Sequence, residues 1–83
     1  MDNKKELIAL MKRHIASIVV ANESEGCVVD CIGKDAFLVY YSDANGNNKE
    51  ETFTNIDDVL NFKIGKGITI GEMVENGADC WED

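Results

Sequence analysis

The chain has 83 residues, 45% of them hydrophobic, with sixteen Asp and Glu against eight Lys and Arg for a net charge of −8. That is room for one small domain, residues 1–83, whose core is thin for its surface. The charge disfavours direct nucleic-acid binding and docking on anionic membranes, both of which need cations, and no apolar run approaches the roughly 18 residues of a membrane helix.

Asn3, with Glu6 three residues later, predicts a capping box, and Leu7, Met11, His14 and Ile18 follow along one helical face. Ile8, Leu10 and Ile15 widen the stripe. A first helix is expected from about Lys4 to about Ser17, with His14 pointing inward. The stretch Ile15 to Ala21 is too short and too far inside the chain to act as a signal h-region, so a cytosolic location is expected.

Asn22 to Gly26 reads as a polar connection, and the β-branched segment Cys27 to Ile32 as a strand closed by a turn at Gly33, Lys34 and Asp35. A second strand is expected over Ala36 to Tyr41. The segment Ser42 to Asn48 concentrates turn formers, with Asn45-Gly46 as its sharpest signal. Lys49 to Thr54 then alternates as a half-exposed edge strand does. These three strands predict a meander.

Thr54 or Asn55 can cap a short helix over Ile56 to Asn61, with Asp57 and Asp58 in the first turn where the helix dipole favours anions. Phe62 to Gly67 is a connector. Thr69 and Glu72 form a second capping box, Ile68 and Met73 a hydrophobic staple, and Gly77 suits the C-terminal cap. Trp81 in the tail is expected to pack back on the domain and to carry Cys80 with it. The fold class is therefore α+β: an N-terminal helix, a three-stranded antiparallel sheet and one or two short C-terminal helices.

His14, Cys27, Cys31 and Cys80 are the complete set of histidine and cysteine in the chain. Four is the ligand count of a closed structural zinc site, and Cys3His is a usual composition. A metal clip would also support a small core. An odd number of cysteines fits reduced thiols better than a disulfide framework. Spacing sets a condition on the site: in a straight strand Cys27 and Cys31 stand roughly 13 Å apart at about 3.3 Å per residue. Two thiolates on one zinc need Cα atoms within about 10 Å. The segment must bend for both to serve. A reduced site would use His14, one of Cys27 and Cys31, Cys80, and Asp79 or Asp30 as an oxygen ligand. Alternatively the cysteines are small buried hydrophobes and His14 a core histidine.

No catalytic constellation stands out. An acidic surround raises thiol pKa rather than activating a Cys nucleophile, and Glu50-Glu51 and Asp57-Asp58 are sequence neighbours rather than an acid and base across a cleft. Gly65-Lys66-Gly67 lacks the other glycines of a phosphate loop. A non-enzymatic protein with a basic partner surface is expected.

The order of helix, three-stranded antiparallel sheet and short helices, in a proline-free and strongly acidic chain of this length, resembles the small phage-encoded anti-CRISPR proteins that block Cas9. The resemblance spans the chain and lies in plan and charge. It implies binding to a basic, nucleic-acid-handling surface of guide-loaded Cas9 in the host cytosol. Its candidate contacts are Glu50, Glu51, Asp57, Asp58, Glu72, Glu75, Asp79, Glu82 and Asp83. The alternatives are a small acidic interaction or antitoxin-like protein of a mobile element, and a zinc-clipped domain with no basic partner.

Overall fold

The computed structural model describes residues 2–43, 45–64 and 67–83. Ala44, in the expected Ser42–Asn48 turn, and Gly65 and Lys66, in the expected connector, lie outside the described residues. The order of elements is α1 (Lys4–Lys12), β1 (Ser17–Ala21), β2 (Gly26–Gly33), β3 (Ala36–Ser42), β4 (Asn48–Phe53), α2 (Ile56–Leu60), β5 (Lys63–Ile64), β6 (Ile68–Thr69), α3 (Ile70–Glu75) and β7 (Asp79–Glu82).

The α+β class stands, but the three-stranded sheet is corrected. A five-stranded antiparallel sheet runs in the order β4-β3-β2-β1-β7, and β5 and β6 form a separate two-stranded ribbon. The three strands expected between Cys27 and Thr54 are present as β2, β3 and β4. The two further strands of the main sheet, β1 and β7, come from the stretch that follows the expected helix and from the tail, and the ribbon from the expected connector and the residues after it. Ile18, Val19 and Val20 are β-branched, so they fit a pleated surface better than the last turn of a helix. The tail then lies antiparallel on β1, with Val20 opposite Cys80 and Val19 opposite Trp81.

Helix α1 ends early, at Lys12, in a Schellman motif: the amide of His14 donates to the Met11 carbonyl at 3.1 Å and that of Ile15 to the Leu10 carbonyl at 3.3 Å. His14 occupies the left-handed position of this motif, with φ 55. Helix α3 closes in the same way, with the amide of Gly77 bonded to Val74 and that of Ala78 to Met73. There the left-handed residue is the expected glycine, at φ 100.

The Thr69–Glu72 capping box is formed, with both reciprocal bonds in place. Asn55 rather than Thr54 caps α2, its side chain accepting from the Asp58 amide at 2.8 Å. Asn3 makes no side-chain cap bond to α1. Instead its amide Nδ2 donates to the Ala78 carbonyl at 2.9 Å and its backbone N–H to that of Val74 at 2.8 Å, tying the chain start to the end of α3.

One side of the five-stranded sheet holds the core. Leu7, Leu10 and Met11 of α1, Val59 and Leu60 of α2, and Ile70, Met73 and Val74 of α3 pack on Ile18, Val20, Cys27, Val29, Phe37 and Val39 of the strands. Strand pleating places these residues at alternate positions, so their neighbours face the other way. No helix among the described residues is long and apolar enough to cross a membrane.

Candidate binding surface

Among the described residues every helix contribution to the core comes from one side, and the opposite side of the sheet is bare of helices: Val19, Val28 and Leu38 there are half-buried, and Tyr40 and Trp81 are exposed. Val19, Val28, Leu38, Tyr40 and Trp81 occupy the strand positions that alternate with the core residues, and none belongs to the core cluster. The register joins four of them into one line: Trp81 opposite Val19, Val19 opposite Val28, Val28 opposite Tyr40, and Tyr40 opposite Glu50. The line crosses all five strands. Trp81 is 46% exposed and Tyr40 41%. Trp81 was expected to pack back on the domain; the tail does return to the sheet, but the pleat turns Cys80 to the core side and the indole to solvent.

Carboxylates edge this apolar line. Glu50 ends it on β4, while Asp79 and Asp83 flank Trp81 two residues away on either side, the latter with its amide bonded to the Ser17 carbonyl at 3.0 Å. Asp30 sits one row along, between Ser17 and Leu38 in the register. Its Oδ1 is screened from solvent and has no hydrogen-bond donor. A partly buried carboxylate short of a donor gains from any cation that reaches it.

The nine candidate acidic contacts divide by role. Glu72 closes the capping box, which holds its carboxyl below the usual range through its bond from the Thr69 amide at 3.1 Å. Asp58 serves the α2 cap, accepting from Asn55 Nδ2 at 3.0 Å, and Asp57 shares that first turn. Glu75 pairs with Lys4 at 2.9 Å. Glu51 and Glu82 carry the core-side parity of their strands but remain exposed at the sheet edges. Glu50, Asp79 and Asp83 belong with the bare face.

The structure does not gather the four soft ligands. Cys27 and Cys31 pair with Tyr41 and Phe37 along an unbroken run of β2, and the register shifts only beyond Cys31. Their separation is that of a straight strand, roughly 13 Å. Cys27 and Cys80 share the core side with Val20 between them, two strand spacings or about 9.6 Å apart. His14 is exposed in the turn after α1 and lines a surface hollow with Cys31 and Lys34, far along the strand from Cys27. The proposed oxygen ligands Asp30 and Asp79 alternate with the thiols and so face the other way. Among the described residues no three of His, Cys, Asp and Glu are placed to hold a metal ion.

The three thiols are free. Burial pushes Cys27 up to about 12. Cys31 is raised by burial and then by Asp30, and Cys80 by burial and then by Glu6 and Asp79. Nucleophilic attack requires thiolate, so each environment opposes it.

The cations that could offset the acidic surface are partly engaged. Lys4 is paired, Lys49 stands 4.0 Å from Asp43, and Lys12 and Lys34 gather with His14 around a hollow at the far end of α1. What sequence reasoning missed was the line across the bare face, because a line across strands exists only in the register. Compared with known proteins, the chain matches no family model, no curated protein and no solved structure.

Proposed function

We propose that this is a non-catalytic binding protein that inhibits a larger, nucleic-acid-handling protein by covering a basic surface of it, with guide-loaded Cas9 the partner that the resemblance in charge implies, since the three-stranded plan on which the resemblance also rested is not the one observed. The observation that supports this reading best is the bare, carboxylate-edged sheet face. A five-stranded sheet with an uncovered face carrying Trp and Tyr offers an apolar centre with a charged rim, the anatomy of a protein interface. The net charge of −8 selects a cationic partner and speeds encounter with it. A groove built for phosphate backbone is such a partner. Reduced thiols suit the cytosol, where such an effector acts.

Capture of purified Cas9, with and without guide RNA, by the immobilised protein tests the reading. Capture at about 50 mM salt that weakens steeply toward 1 M is expected, since the screening length falls from about 10 Å at 0.1 M to about 3 Å at 1 M. No capture at about 50 mM salt overturns Cas9 as the partner.

A further inference from the structure

We propose that the bare face of the sheet is the docking surface and that the partner presents arginine to it, in an extended protein segment laid across the strands. The inference rests on the binding reading above and assigns it a face and a chemistry. Guanidinium is the cation that matches both features present. Its plane stacks on exposed aromatic rings, and its fork of donors matches carboxylate geometry. Trp81 and Tyr40 supply the rings, at opposite ends of the Val19–Val28 pair. Glu50 supplies an exposed carboxylate and Asp30 a half-buried one on the same face.

Scale agrees with this occupant. Trp81 and Tyr40 are three strand spacings apart, about 14 Å at 4.8 Å each. Arginines four residues apart in an extended segment share one side and span about 13 Å. Two other occupants fit less well. A second copy of this chain would bring Asp30, Glu50, Asp79 and Asp83 against their own like charges, and a nucleic-acid strand would set phosphate against the same groups.

Trp81 is the single tryptophan of the chain, so its emission reports on this face. The full chain is titrated with nona-arginine and with nona-lysine at about 50 mM salt, following Trp81 emission and heat of binding. Nona-arginine is expected to bind at least about fivefold tighter than nona-lysine and to change the emission, because stacking and forking add to the charge term. Trp81→Ala and Tyr40→Ala, checked for folding by circular dichroism and followed by heat, should each shrink that preference. Asp30→Asn should weaken nona-arginine by a similar factor.

Equal and salt-sensitive binding of both peptides, insensitive to Trp81→Ala, overturns the face assignment and leaves the acidic binding reading standing. Binding of neither peptide overturns both. A concentration-dependent dimer that shields Trp81, or a thymidine oligonucleotide that shifts its emission in place of nona-arginine, overturns the arginine assignment.

Discussion

His14 shows how one side chain takes its role from the backbone beneath it. By helical spacing it belongs to the apolar stripe of Leu7, Met11 and Ile18, and it would then point inward. The helix instead ends at Lys12, and His14 becomes the left-handed residue of the closing motif, exposed at φ 55. A side chain in that conformation costs about 1–2 kcal/mol against glycine, while glycine adds roughly 0.5–1 kcal/mol of unfolded-chain entropy. His14→Gly should therefore stabilise the protein by roughly 0.5–1 kcal/mol, read as a higher urea midpoint. A loss of stability would mean that the imidazole itself makes a needed contact.

At the scale of elements, the short helices depend on close approach as much as on capping. A Cβ added at Gly71 would stand 3.0 Å from the Leu60 carbonyl oxygen and 3.5 Å from the Leu60 Cβ, both at the end of α2. The obstructing atom is backbone, so relief requires α2 and α3 to move apart. Overpacking of this kind costs about 1–3 kcal/mol, against a gain of up to about 1 kcal/mol in helix propensity. Gly71→Ala should lower stability by about 1 kcal/mol in urea unfolding. An unchanged midpoint would show that the helix pair yields freely.

The same scale shows how far the sequence carried. The strands β2, β3 and β4, the capping box at Thr69 and Glu72 and the glycine cap at Gly77 follow from local chemistry: β-branching, turn residues, and side chains that meet nearby orphan amides. Strand β1 was also signalled, by Ile18-Val19-Val20, but an amphipathic stripe running into it favoured a longer helix. Strand β7 had no such signal. Asp79-Cys80-Trp81-Glu82 becomes a strand because β1 offers an unpaired edge, and a pairing at long sequence range leaves no local trace.

For the molecule as a whole, the sheet decides what the four soft ligands can do. Cys27 and Cys31 lie on one straight strand, Cys80 lies beyond Val20 and His14 stands in an exposed turn, so among the described residues the four are not placed together. Protein purified without added metal should carry far less than one equivalent of zinc and unfold at the same midpoint with or without EDTA, by elemental analysis and thermal melting. One equivalent of zinc that disappears in a Cys80→Ser variant would show the ligands meeting in solution.

The sequence by itself determined that the chain is small, strongly acidic and built of helices and antiparallel strands. Composition, charge and local periodicity are properties of the residues themselves, wherever they lie. Only the tertiary structure decided that the sheet has five strands, that one face is left bare, and that Trp81, Val19, Val28, Tyr40 and Glu50 form one line. Cross-strand register sets which residues become neighbours, and it depends on pairings between segments as distant as 19 and 81.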